Sequence, residues 1–234
     1  MGMRPSELFH LFGDLKNLSG IGPKTVINLK NLSIEKPRDF LFNLPFSVLD
    51  RLPVSSIRGV PASKIVTVEV LVKAHKIGRS RASAHRVTVQ DTEVSFQLVF
   101  FNARKEYLES LLPVGERRII SGKLEFYDNI PQIVHPHHVK KINEEKAIVR
   151  FEPVYPLTSG VSQKLMFGTI NGLLEKLPKL GEWIDHELLK IKGWPSWQDA
   201  LKSAHCPVSA DGASNTNPAR LRLAFDELFS HQLS

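Results

Sequence analysis

A single cysteine, Cys206, leaves no partner for an internal disulfide and no basis for a thiolate metal cluster, as in proteins kept in a reducing compartment. No apolar run approaches the roughly 18 residues that cross a bilayer, and the opening MGMRPSELFHLFG lacks the apolar core of a secretory signal. A soluble, cytoplasmic protein with no membrane partner is expected. No Gly-x-Ser-x-Gly frame presents a serine nucleophile. The histidines of HPHHV, His135, His137 and His138, have no second cluster of Cys, His or paired carboxylates to complete a metal site. The sequence therefore predicts neither catalytic residues nor metal ligands, and HPHHV reads as a polar strand end. Acidic residues are also the minority: 24 Asp and Glu against 31 Lys and Arg give a net charge of +7, which favours a polyanionic partner.

A nucleotide-binding loop is missing too. LSGIGPKT comes nearest, but a P-loop needs Gly, four residues, then Gly-Lys-Ser/Thr, so that the loop wraps a phosphate before its lysine reaches in. Here Leu18 and Pro23 hold the two glycine places, and no ATP or other cofactor is expected in this chain. The apolar spacing suggests a different use. Leu11, Leu15 and Leu18 precede the turn at helical intervals, Val26, Leu29 and Leu32 follow it, and Pro23 suits the first turn of a helix. The stretch resembles a helix-hairpin-helix motif, whose turn aims backbone N–H groups at a DNA phosphate. Gly20, Gly22, Lys24 and Thr25 are its candidate contacts; the alternative is a helical hairpin whose glycines only bring two helices together.

Pattern divides the chain into three regions. Residues 1–56 read as helical, with Pro37 and Pro45 punctuating two short amphipathic pieces of IEKPRDFLFNLPFSVLDR. Residues 57–146 change to β-branched and aromatic runs bounded by Gly, Pro, Asn or Asp: KIVTVEVLVKAHKIG, AHRVTVQD, VSFQLVFFN, RRIISGKLEFY and NIPQIVHP. RKEYLESLLPVG lies between the third and fourth with its leucines at helical spacing. Five strands with one helix inserted there is the order of an OB-fold, a small Greek-key barrel that binds oligonucleotides; the helix decides against an SH3-like barrel. Residues 147–234 return to helix, broken by the small, polar loop PVSADGASNTNPA. The fold class expected is α+β, and the helix that ends at Ser234 without a cap reads as a cut through a longer protein.

Charge and aromatics concentrate in the barrel segment. Between Lys64 and Arg86 there are six basic residues, including Lys73, Lys76, Arg79, Arg81 and Arg86, against the one carboxylate Glu69. HKIGRSRASAHR supplies the Gly and Ser of a loop between the first two strands, suited to a phosphate backbone. In VSFQLVFFNARKEY, alternation sends Phe96, Leu98 and Phe100 to one face and Val99 and Phe101 to the other. If the first set is core, Phe101 is exposed at the strand end, with Asn102, Arg104, Lys105 and Tyr107 following. Aromatics beside positive charge make a stacking platform for bases, unless Phe101 and Tyr107 merely close the barrel end.

LSGIGPK with LFNLPFSVLDR downstream, LVFFN followed by Tyr107-Leu108, Gly122-Lys123 before the His135-Pro136 pair, PVYPLTSG and RLRLAFDELF are similar, in this order, to the N-terminal half of the RecG branch-migration helicases. In that family the OB-fold is the wedge domain, which grips replication forks or Holliday-type junctions while two following helicase domains pull the duplex. The resemblance implies a bacterial, nucleoid-associated DNA repair and recombination protein, a DNA-binding wedge, and a helical linker leading toward an absent ATPase motor. It assigns base stacking to Phe101 and Tyr107, and implies ATP and Mg only in the full-length protein. Branched or forked DNA is the expected partner, bound by a monomer, with the OB face also open to a single-stranded-DNA-binding protein. The alternatives are a stand-alone OB-fold RNA-binding protein and a protein-protein scaffold.

Overall fold

The computed structural model describes residues 6–78 and 83–233, which form two compact units. One is residues 50–150; the other joins the residues up to Leu49 with those from Phe151 on. In chain order the elements are α1 (Pro23–Leu29), α2 (Pro37–Phe42), β1 (Ser47–Val54), β2 (Ile65–Lys76), β3 (His85–Gln90), β4 (Ser95–Phe100), α3 (Lys105–Leu111), β5 (Arg117–Tyr127), β6 (Ile130–Val134), β7 (His138–Lys140), β8 (Phe151–Val154), α4 (Gln163–Leu174), α5 (His186–Lys192), α6 (Trp197–His205) and α7 (Pro218–Leu233).

In the first unit, strands β2 to β6 close into a barrel. β2 pairs antiparallel with β3 and β5, β3 with β4, and β5 with β6, and the parallel pairing of β4 with β6 completes the ring. Closure removes the sheet edges that would otherwise invite other strands. The period of two does the rest: Val66, Val68, Val70 and Val72 from β2, Val87 and Val89 from β3, and Phe96, Leu98 and Phe100 from β4 all point inward. α3, inserted between β4 and β5, adds Leu108 to the same core, and Leu112 follows it there. Gly122 is required where β5 passes the end of β6, because a Cβ there would sit 2.4 Å from Ile133 Cγ2 and 3.3 Å from Pro136 Cα.

The QDTEVS connection is held by its aspartate. Asp91 is buried and accepts from the backbone N–H groups of Ile57, Glu93 and Val94 and from the Ser56 hydroxyl at 2.8–3.1 Å. Burial pushes its carboxyl up, but these four donors outweigh it and hold it below the ordinary aspartate value. The side chain thus stitches the β3–β4 turn to the segment before β2.

The second unit is helical, with one core built from both ends of the chain. Met166, Ile170, Leu173 and Leu174 line the inner face of α4, which Ser162 caps by accepting from Leu165 N–H at 3.2 Å. They pack with Leu11, Leu15, Ile21, Leu29, Phe40 and Leu41 from the N-terminal segment and with Leu201, Ala204 and Leu223 from α6 and α7. No helix among the described residues is long and apolar enough to cross a membrane.

Local structure departs from the sequence reading in several places. Leu11 and Leu15, spaced as if on one helix, are carried by two separate 3-10 turns, Ser6–Leu11 and Leu15–Asn17, because Asp14 interrupts the run and accepts from Lys16 N–H at 2.9 Å to start the second. SVLDRLPV, read as an amphipathic helical piece, is strand β1: Pro45 ends the preceding helix region, and Arg51 to Val54 pair in parallel with Ile65 to Val68. The region from 147 on, read as helical, opens with strand β8. Within PVSADGASNTNPA, read as an exposed loop, a 3-10 turn Ala210–Ala213 buries Gly212, where a Cβ would meet Pro207 at 2.4 Å.

Candidate nucleic-acid interface

Two parallel strands end together on one rim of the barrel. Leu98 lies opposite Ile133 and Val99 opposite Val134, so Phe101 after β4 and His135 after β6 leave the sheet side by side. Both strands turn away through left-handed residues, Asn102 at φ +55° and His135 at φ +44°. Asn and His are among the few side chains that tolerate this region. Asn102 therefore has a backbone reason to be asparagine, independent of any DNA contact. Phe100, the last inward residue of β4, is 7% exposed, whereas Phe101 is 46% exposed and Tyr107 60%.

An open cleft of about 660 Å³ gathers these groups. Its lining includes Phe101, Asn102, Arg104, Tyr107, His135 and His137. Tyr107 reaches it because α3 turns Leu108 into the barrel core and leaves the preceding position outside. Lys105 does not line it and instead pairs with Glu109, one helical turn on, at 3.8 Å. Both partners are half-exposed, so the pair contributes little.

Strand register brings two basic residues toward the same rim. Lys76 lies opposite Arg86, and Arg86 opposite Val99, two residues before Phe101. Cross-strand partners share a face, and like charges opposite each other are unfavourable unless something neutralises them. No ion pair forms to Lys76, Arg86 or Arg104 among the described residues. Lys73 sits farther down, as the extra residue of a bulge between Val72 and Ala74, beside the level of Thr88 rather than at the rim. Arg79 and Arg81 lie outside the described residues.

The glycine turn belongs to the other unit. Gly20 takes φ +79°, and a Cβ there would touch Leu165 Cδ1 at 3.3 Å; Gly22 is extended and caps α1, with Lys24 exposed and Thr25 half-buried behind it. Ile21 between them is buried in the helical core. α1 has seven residues, and the geometry accounts for Gly20 through its left-handed backbone and its approach to Leu165; at Gly22 a Cβ would meet nothing within 4 Å.

His135 is the rim residue that sequence reasoning passed over. Its ring centroid stands 5.8 Å from that of Phe101 at 41°, and 6.2 Å from Phe100 in an edge arrangement. Its Nε2 accepts the Phe101 N–H at 3.2 Å. The signal available was the position of HPHHV at the end of a strand that, in an OB order, runs parallel to the Phe101 strand. No group of three or more His, Cys, Asp or Glu able to hold a metal occurs among the described residues.

Comparison with known proteins gives one answer at three levels. Residues 14–175 match the family model described as the RecG wedge domain. The ATP-dependent DNA helicase RecG of Haemophilus influenzae is 27% identical over 94% of this chain and 32% of its own length, and that of Thermotoga maritima is 28% identical over 97% and 29%. A solved structure of RecG bound to a three-way DNA junction superposes with a TM-score of 0.74 at 27% identity, covering 94% of this chain and 30% of that one. The chain spans about a third of the length of these relatives.

Proposed function

Because this chain belongs to the RecG wedge family, we propose that its barrel rim grips branched DNA, replication forks and Holliday-type junctions, with Phe101 stacking on a base at the branch point. The observation that carries this reading is Phe101, left 46% exposed at a strand end, near Lys76 and Arg86, which the strand register brings toward the same rim and which form no ion pair among the described residues. Every base has a π-face and every nucleotide a phosphate, so ring and charge together recognise an opened duplex without reading its sequence. Tyr107 is the second stacking ring, and Lys76, Arg86 and Arg104 contact the backbone, with Lys73, Arg79, Arg81, Asn102 and Lys105 as further contacts. Residues 57–146 are the gripping domain, residues 1–56 and 147–234 its support and linker. The parent is an ATP-dependent DNA helicase of repair and recombination, with ATP and Mg bound elsewhere in its chain. The region acts as a monomer, and its OB face offers a surface to a single-stranded-DNA-binding protein. The similarity to a RecG solved on a three-way DNA junction, and to the RecG helicases of other bacteria, supports this reading.

Phe101→Ala tests the reading. Stacking on an exposed base is worth roughly 1–3 kcal/mol by alanine substitution, and a linear duplex of paired bases offers none. The variant is expected to lose that much on forked DNA, measured by fluorescence anisotropy, while duplex affinity holds. Equal losses on both, from a protein that melts like wild type, would sink the stacking role.

Salt reports on the charges separately. With Lys76 and Arg86 both changed to Ala, the plot of log K against log salt is expected to become shallower by about 1.8, at ~0.9 per phosphate contact in duplex DNA. Fork and duplex should weaken alike. An unchanged slope would remove this strand pair from the interface.

A further inference from the structure

We infer that His135 is the positioning residue of the wedge aromatic, holding Phe101 outward in its neutral form with the proton on Nδ1. The inference rests on the stacking role proposed above for Phe101 and adds what sets that ring in place. Past the last β4–β6 rung, the Phe101 N–H makes no backbone–backbone hydrogen bond among the described residues. The His135 residue takes over at this point with two bonds: its own N–H donates to Val99 O at 2.9 Å, and its Nε2 accepts from the Phe101 N–H at 3.2 Å. A backbone N–H can only donate, so Nε2 carries no hydrogen and the tautomer follows from the geometry. The imidazole then lies against the Phe101 ring at 5.8 Å and edge-on to Phe100 at 6.2 Å.

The consequence is a defined direction for an exposed side chain. An unsupported phenylalanine at a strand end samples several rotamers, and a ring that must be ordered on binding costs affinity. Here the bond from the Phe101 N–H to Nε2 and the imidazole, tilted at 41° to the Phe101 ring at 5.8 Å, restrict Phe101 before DNA arrives. His135 reaches this position through its left-handed backbone, φ +44°, so truncation to Ala would add strain unrelated to its side chain. Asparagine, which tolerates this region but has a shorter side chain and no ring, is the better truncation. Glutamine restores an acceptor at about the imidazole's reach, and phenylalanine restores the ring alone.

The experiment compares forked and linear duplex binding for the 234-residue chain and for H135N, H135Q, H135F, F101A and F101A/H135N, with a melting curve for each. H135N is expected to lose roughly three- to tenfold on the fork, the scale of one hydrogen bond and one aromatic contact, and nothing on duplex. H135Q and H135F should each recover part of that loss. In the F101A background, H135N should cost the fork nothing further, because its effect passes through the missing ring. A similar loss in both backgrounds would mean that His135 touches DNA or acts by another route, and would overturn the inference. So would an unchanged fork affinity in H135N when F101A loses its own. Those two outcomes leave the stacking role standing. If F101A itself shows no fork-specific loss, the stacking role fails, and the positioning role falls with it. If H135N melts lower than wild type, H135Q and its double mutant with F101A carry the same comparison: acceptor reach with no extra loss in the F101A background supports the inference, and an equal loss in both backgrounds overturns it.

Discussion

Arg222→Ala is expected to lower the unfolding free energy by about 3–5 kcal/mol, the cost of stripping a buried ion-pair network of its centre. The Arg222 side chain is fully buried on α7. Its Nη1 and Nη2 donate to the two Glu182 oxygens at 3.0 and 2.8 Å, its Nε to the Asp226 carboxylate at 3.0–3.1 Å, and Nη1 also to Pro195 O at 3.2 Å. Trp183 lies over the guanidinium at 5.3 Å and donates its indole N–H to Asp226 at 3.0 Å. One side chain therefore joins α7, the 182–184 segment and the turn before α6. Hydrogen bonding to Arg222 holds the Glu182 carboxyl below its ordinary value, while burial, only partly offset by Arg222, pushes Asp226 above its own. Removing the cation leaves two mostly buried carboxylates facing each other. Urea unfolding at neutral pH gives the loss, and adding Glu182→Gln and Asp226→Asn should return part of it by removing the uncompensated charge. A loss below about 1 kcal/mol would mean that the network is as weak as an exposed ion pair.

Neither Arg222 nor its role could be read from the chain as text. RLRLAFDELF offers Arg222 an i,i+4 partner in Asp226, which by itself reads as an ordinary surface pair; the approach of Glu182, forty positions earlier, is what makes Arg222 a buried centre. The barrel was legible for the opposite reason. Its signal is local: alternation within each run, Gly or Asn between runs, and one helical insert at a fixed place in the order. β1 escaped because SVLDRLPV alternates weakly and becomes a strand by pairing with Ile65 to Val68, a contact no window of the sequence contains. The leucines before the glycine turn misled in another way, since Leu11 and Leu15 are core residues as their spacing suggests but sit on 3-10 turns divided at Asp14.

The rim divides along the same line. Alternation in β4 separates Phe96, Leu98 and Phe100 from Val99 and Phe101; the first three are buried and Phe101 is exposed, but Val99, on the Phe101 face, is buried too, so exposure on that face begins only at the strand end. What lies beside Phe101 depends on the parallel pairing of β4 with β6, thirty-odd residues apart, and so His135 read as a polar strand end. The β2–β3 pairing likewise explains why Lys73 and Lys76, three residues apart in the sequence, differ in their closeness to the rim: Lys73 is the extra residue of the bulge between Val72 and Ala74, and only Lys76 is level with Arg86. Composition located the positive charge; topology decides which of it can serve the cleft.

Acid should unfold the helical unit partly through His205. This residue is fully buried at the end of α6. Its Nε2–H donates to Leu41 O at 2.9 Å and its Nδ1 accepts from the Tyr155 hydroxyl at 3.0 Å, with the two rings stacked at 5.7 Å. Both nitrogens are committed in the neutral form, one as donor and one as acceptor. Burial lowers its pKa to about 4, against the bond to Leu41 O and with help from the positive charge of Arg220; burial also lifts the Tyr155 hydroxyl well above the ordinary phenol value. The folded value lies below the ordinary 6.5, so between about pH 6.5 and 4 the unfolded chain holds a proton that the folded chain does not. Stability from this group is intact above the upper value and falls as pH drops through the window, by on the order of 3 kcal/mol at its lower end. His205→Gln can still donate to Leu41 O and accept from Tyr155 but cannot titrate. It is expected to be modestly less stable at neutral pH and to lose less stability than wild type between pH 6.5 and 4, as measured by urea unfolding at each pH. The difference between the two curves removes the carboxylates that titrate in both proteins. Parallel curves through that window would show that His205 takes up its proton without unfolding, the Tyr155 bond then reversing so that Nδ1–H donates to the phenol oxygen.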